Sequence, residues 1–256
     1  MLIRLNYLIS KYKLELTGVS HFGAHFGQEI KDYINSGIKN IHLFEPQSKI
    51  FNELYKLKEK YPFIEFYNFG LGSDNSIKTI NIEKKNEGQS SSILYPKLHL
   101  NFYPDITFES KEKIQIKKYE ELNIQNVNFL NIDIQGYELE ALKGCGDSLN
   151  NIDYIFTEVN RDYLYENNPL IEDIDLFLSK YNFLRVESKW ASSKLPFGDA
   201  FYIKSHYLNT KTILFSKVKI ILQKINLYYI FIDPYRKLNK SIYLFKKKLA
   251  LLLNKN

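Results

Sequence analysis

The sequence predicts a doubly wound α/β fold: an open, mostly parallel sheet of seven strands with helices on both faces. Three observations carry that reading. Apolar runs that end in glycine or proline alternate with helical patterns from Leu16 onward. A glycine-rich turn, "SHFGAHFGQE", follows the first run. The stretch "FLNIDIQGYELEALKG", Phe129 to Gly144, repeats the strand–turn–helix pattern later in the chain.

The elements follow in order. Leu16 to Phe22 is a short apolar run ending at Gly23, and "QEIKDYINSG" reads as a helix stopped by Gly37. "NIHLFEP" is a strand ending at Glu45, broken by Pro46. "SKIFNELYKLKEKY" is a helix with Ser48 as its N-cap and Ile50, Leu54 and Leu57 on one face. "FIEFYNFGLG" alternates and forms the third strand. An irregular region from Ser73 to Lys118 holds two small strands, "IKTINI" and "KIQIKK", and the polar loop "NEGQSSS". Val127 to Ile134 is then a strand, and Tyr137 to Lys143 a helix ended by Gly144. "IDYIFTEV" is a strand and Ile171 to Lys180 a helix, while "FLRVES" and "DAFYIK" close the sheet as an antiparallel pair.

At 45% hydrophobic and 25% charged, 256 residues make an ordinary globular chain with a real core. A single cysteine, Cys145, excludes an intrachain disulfide framework and a cysteine zinc site, and suits a reducing compartment. The N-terminus carries no signal-peptide pattern, and no window long enough to span a bilayer is free of charge, so a cytoplasmic location is expected. Charge is uneven. Lys211 to Asn256 holds eleven Lys or Arg against Asp233 alone, so this tail carries +10 of a net +6 and the rest of the chain −4. Leu214, Val218, Ile221, Leu222, Ile225, Tyr229 and Ile232 share one helical stripe, and Ile242, Phe245, Leu249 and Leu252 a second, with Pro234 between them. The expected organisation is a catalytic domain over residues 1–207 and a basic amphipathic helical extension over 208–256. That extension suits an anionic membrane surface, with packing on the domain or a dimer contact as competing readings. Nucleic acid fits poorly, because the basic charge lies beside apolar stripes and the body is acidic.

Several residues are suited to chemistry. In "SHFGAHFGQE" the spacing is Gly23-x-x-x-Gly27, which lacks two of the three glycines of a dinucleotide fingerprint and suits a ligand without a pyrophosphate, or merely tight packing. Glu45 lies 22 residues after Gly23 at the end of the second strand, the place of an acid that accepts hydrogen bonds from a ribose diol. His21 and His25 flank the turn, within reach of a ligand; His42 reads as structural. Asp133 and Glu158 sit at the ends of the fourth and fifth strands, beside the crevice where such sheets bind ligands. Two such carboxylates position a cation such as Mg²⁺, orient a hydroxyl, or take its proton. The competing readings are a turn cap for Asp133, ahead of Gly136, and a solvated strand end for Glu158. Glu138 is a weaker candidate one helical step away. Ser90, Ser91 and Ser92 form either a substrate lip or a plain polar loop. No metal-ligand spacing is present.

On "GAHFG", "FEP", "NFGLGS" and above all "NIDIQGYELEALKG", with "GQSSSIL", "DYIFTEVN" and "GDAFYIK", the chain resembles the FkbM-like methyltransferases over Gly18 to Lys204. The resemblance implies a class I, Rossmann-like S-adenosylmethionine-dependent methyltransferase fold whose last strand is antiparallel. It also implies a cofactor turn made by Gly23, Ala24 and Gly27, a ribose held by Glu45 and an adenine near Leu71. Members are usually described as O-methyltransferases, often of sugar hydroxyls. Many carry an aspartate where this chain has His21, so the contact to the cofactor's amino acid moiety differs here. Position assigns Asp133 as general base, with Glu158 orienting a hydroxyl-bearing acceptor such as a glycan or glycolipid. A non-catalytic nucleoside-binding or scaffold module is the alternative. A glycosyltransferase is disfavoured, because the only D-x-D, at Asp173 to Asp175, falls on a predicted helix.

Overall fold

The computed structural model describes residues 2–214 together with Ser216 and Val218. The two amphipathic helices expected in the extension lie almost wholly outside these residues.

Seven strands form the main sheet: β1 (Gly18–Phe22), β2 (Asn40–Phe44), β3 (Glu65–Tyr67), β7 (Phe129–Ile132), β8 (Tyr154–Asn160), β9 (Phe183–Trp190) and β10 (Phe197–Lys204). Their spatial order is β3-β2-β1-β7-β8-β10-β9. The first five run parallel, and β10 pairs antiparallel with both β8 and β9. The order reverses between β1 and β7, so the carboxyl ends of those two strands open a crevice at the switch point.

Side chains alternate across this sheet, and both faces are buried. Val19, Ile41, Leu43, Phe129 and Phe201 face one core with Leu5 and Leu8 of α1 (Leu5–Tyr12), Ile30 and Tyr33 of α2 (Ile30–Asn35) and Leu54 of α3 (Ser48–Tyr55). Phe22, Leu130, Ile132, Ile155 and Val159 face the other, with Ala141 and Leu142 of α5 (Glu138–Gly144) and Ile174 and Leu178 of α6 (Ile171–Ser179). Each fully buried large apolar side chain contributes about 1.5–3 kcal/mol, which is why these strands read as near-continuous apolar runs.

Three elements differ from the sequence reading. α1 was not foreseen; its Leu5 and Leu8 pack on the sheet, and it stops at Lys13 in the left-handed region at φ 54°. The third strand is divided: after β3 the chain crosses to a second sheet as β4 (Gly70–Leu71). The Asn68 side chain holds that crossing by donating to Glu45 O at 2.9 Å. Ser48 is the first residue of α3 rather than its cap, because Glu112 takes the capping role and accepts from Ser48 N at 3.0 Å.

The second sheet, β4-β6-β5, uses β5 (Ser76–Ile82) and β6 (Ser110–Lys117), the two small strands expected in the irregular region. The segment between them contains the short helix α4 (His99–Phe102) and folds over the crevice. It is stitched to the body by Lys97 N donating to Leu164 O and Glu166 N to Tyr95 O, both at 2.8 Å.

Candidate active site

The crevice is a cavity of about 860 Å³. Its floor is the carboxyl ends of β1, β2, β7 and β8, and its cover is the segment between β5 and β6. Gly23, His25, Glu45, Leu71, Asp133 and Glu158 all line it. Ala24 and Gly27 do not; they shape the turn from behind. Ala24 is fully buried and donates its N–H to Phe44 O at 2.9 Å. A Cβ on Gly27 would strike Ile30 Cδ1 at 2.6 Å.

Gly23 is required by close approach. It sits at φ +83°, and a Cβ there would lie 2.0 Å from Asp133 O, the backbone that follows β7. Gly23→Ala is therefore expected to destabilise the fold by about 3 kcal/mol or more through strain and displaced backbone. A denaturant melt measures it; an unchanged midpoint would contradict this packing.

Glu45 is 3% exposed, and its two oxygens accept from His25 N at 3.0 Å and Gln47 N at 2.9 Å. Burial pushes its pKa up to about 7, against those two hydrogen bonds. Each carboxylate oxygen keeps a second lone pair, so the group can still accept two hydroxyl donors. His25 stands at φ 48°; its Nε2 contacts Glu87 O and its Nδ1 the Gln28 amide, both at 2.9 Å. The turn is thereby tied to the covering segment. Phe44, Leu71 and Ile116 add an apolar wall beside Glu45.

Asp133, just after β7, and Glu158, on the neighbouring strand β8, come together, joined by one side chain. The Asp133 side chain is exposed to the cavity, and the protein around that cavity desolvates it and raises its pKa. Glu158 is raised well above its ordinary value, first by burial and then by the charge of Asp133. Gln135 Nε2 donates to Asp133 Oδ1 at 2.8 Å and to Glu158 Oε2 at 3.1 Å. Asp199 stands opposite Glu158 in the ladder, pushed up to about 6 by burial.

The turn after β7 is capped by Glu138, not Asp133. Glu138 Oε1 accepts from Ile134 N at 3.2 Å and Gly136 N at 3.0 Å, and burial lifts its pKa to about 7. Glu138 lies outside the cavity lining, so its role is to shape the turn that presents Asp133. His21 is also buried, with Nδ1 3.1 Å from the Tyr33 hydroxyl, which in turn accepts from Asn131. Burial depresses its pKa to about 4, so it is neutral at physiological pH. His42 is structural as expected, held by Tyr67 and Asn40.

Ser90, Ser91 and Ser92 are buried and line the cavity, closer to the lip reading than to a solvated loop. Sequence reasoning missed Gln135, Tyr165, His99 and Tyr103. The last two reach the cavity from the covering segment; His99 is buried among the rings of Tyr103, Phe108 and Tyr165, and its Nδ1 has no hydrogen-bond partner among the described residues. Only Gln135 carried a signal, since it belongs to the same block as Asp133. The described residues bring together no group of three or more His, Cys, Asp or Glu suited to a metal ion.

A mostly parallel seven-stranded α/β sheet, with a glycine turn after its first strand and an acid ending its second, defines a methyltransferase-like fold. Residues 21–185 match the family described as the methyltransferase FkbM domain, and the chain belongs to that family. It is 28% identical over 95 residues to the 2-O-methyltransferase NoeI of Sinorhizobium fredii, a stretch covering 35% of this chain and 39% of that protein. The crystal structure of a methyltransferase FkbM from Methylobacillus flagellatus superposes with a TM-score of 0.50 at 14% identity, over 73% of this chain and 43% of the other. An uncharacterised protein from Listeria monocytogenes superposes equally well, at 0.50 and 9% identity, over 97% and 87%. The structural likenesses speak for the fold. This chain spans less than half the length of NoeI and of the Methylobacillus protein that it matches.

Proposed function

We propose that this protein is an S-adenosylmethionine-dependent O-methyltransferase that acts on a hydroxyl group, with a sugar of a glycan or glycolipid as acceptor. The observation that carries the reading is one cavity lined both by Glu45, after β2, and by the Asp133–Glu158 pair, after β7 and on β8, with β1 between β2 and β7 in the sheet. The residues present fit the cofactor. Glu45 has free lone pairs for a ribose diol, His25 and Gln47 hold it in place, and Leu71 and Phe44 offer an apolar wall to a purine. Family membership and the 2-O-methyltransferase likeness support the reaction type.

When bound, S-adenosylmethionine supplies a methyl group on a sulfonium, open to in-line displacement. The protein's share is alignment and proton removal. With that cofactor bound, Asp133 would take the proton of the acceptor hydroxyl as the hydroxyl oxygen is methylated. A carboxylate whose pKa is raised by desolvation is a better base than one at its ordinary value. Glu158 orients the same hydroxyl. His99, Tyr103 and Phe197, which also line the cavity, offer ring faces and polar atoms to a pyranose.

The test is methyl transfer from labelled S-adenosylmethionine to a panel of free glycans and glycolipid extracts, read by mass spectrometry. A methyl ether on a hydroxyl is the expected product. Cofactor binding without turnover on any acceptor would favour the non-catalytic module. The basic extension is proposed to dock on an anionic membrane surface, where basic residues contribute roughly 1 kcal/mol each. Full-length protein is expected to float with anionic liposomes and a truncation at Tyr207 to stay behind; equal behaviour would remove the membrane role.

A further inference from the structure

We propose that Gln135 is a positioning residue for the carboxylate pair: its side-chain amide joins Asp133 and Glu158 into one unit and anchors that unit on Tyr165. The proposal deepens the reading of Asp133 as base and rests on it. Among the described residues, Gln135 is the only side chain donating to either carboxylate, at 2.8 and 3.1 Å. The amide is oriented from its other end. The Tyr165 hydroxyl lies 2.8 Å from Gln135 Oε1 and 3.1 Å from Ser90 O, and donates its proton between them. With Oε1 held by that donor, Nε2 is left to face the acids, one hydrogen for each.

The turn does not need this side chain. Glu138 already satisfies Ile134 N and Gly136 N, and Ser92 Oγ donates to the Gln135 carbonyl at 2.7 Å. Gln135 nonetheless occupies the left-handed region at φ 54°, where glycine or asparagine is at home and other residues are strained. The backbone gives no preference for glutamine at this place, and the side chain's contacts are all made by its amide. Two adjacent carboxylates without a shared donor tend to hold one proton between them, which disables a base. The amide hydrogen on Asp133 favours its ionised form, and the second hydrogen holds Glu158 beside it. Through Tyr165 and Ser92 the pair is also tied to the Ser90–Ser92 segment that covers the cavity.

The experiment is a carboxyl ¹³C NMR pH titration of the full chain, unmodified and as Gln135→Gly and Gln135→Asn. Both variants suit the left-handed backbone, so loss of the fold is not the expected outcome for either. Asp133→Asn and Glu158→Gln assign the two signals. Loss of the amide donor is expected to move the Asp133 midpoint upward by about one pH unit in Gln135→Gly, the size of one charge-assisted hydrogen bond. S-adenosylhomocysteine affinity should stay within about twofold, because Glu45 is untouched. Tyr165→Phe, which frees the amide to turn, should move the same signal in the same direction by less. Unchanged Asp133 and Glu158 titrations in both folded Gln135 variants would overturn the proposal. Full methyl transfer by Asp133→Asn would instead overturn the base reading, and the titration would still report on the Gln135 contact.

Discussion

Asp133→Asn is expected to lower methyl transfer by about 10²–10⁴-fold while leaving S-adenosylhomocysteine affinity within about twofold. The variant keeps size and shape and removes only the capacity to take a proton. The separation of effects follows from place: Glu45 follows β2 and Asp133 follows β7, with β1 between them in the sheet, and Glu45 is held by His25 N and Gln47 N rather than by Asp133. It also follows from the local structure. Glu138 and not Asp133 holds the turn, so the amide need not disturb the backbone. Glu158→Gln should weaken acceptor binding more than turnover, as befits an orienting group. An Asp133→Asn variant with full activity would show that alignment alone carries the reaction.

The second expected result concerns pH. Burial raises Glu45 from 4.5 to about 7. Between those values the folded protein retains a proton that the unfolded chain has released. Stability without ligand should therefore fall as pH rises from about 5 to 7. Glu138, at about 7, and Asp199, at about 6, act with the same sign. His21, depressed to about 4, opposes them, because the unfolded chain holds its proton below the ordinary histidine value of 6.5. Cofactor binding should run the other way. Ribose hydroxyls donate to the ionised carboxylate, so S-adenosylhomocysteine affinity should rise about tenfold between pH 6 and pH 8. Glu45→Gln isolates the effect: binding weaker and nearly independent of pH, with a flatter stability curve. A wild-type affinity that is flat over this range would mean that Glu45 does not titrate against the ligand.

Much of this architecture was legible because it rests on local chemistry. Gly23 marks a turn where no side chain fits, and Glu45 precedes a proline at a strand end. The alternation in "FLNIDI" sends Phe129 to one core and Leu130 and Ile132 to the other. What was not legible depends on contacts between distant segments. Ser48 looks like a cap until Glu112 arrives from β6 to supply the same acceptor. Asn68 turns one predicted strand into two, belonging to different sheets, through a hydrogen bond to Glu45 O. In α1 the apolar spacing was present, but nothing nearby in sequence indicated that the sheet would bury Leu5 and Leu8. Gln135 was visible as a letter within the most specific block, yet its role needs Glu158 and Tyr165, 23 and 30 residues further along.

Isothermal titration of the purified protein with S-adenosylhomocysteine, beside Glu45→Ala, decides whether the cavity at Glu45 holds the cofactor. One saturable site is expected in the wild-type protein and loss of measurable binding in the variant, with both proteins folded. Equal binding by the two would contradict this, because the ligand would then lie somewhere other than the cavity at Glu45.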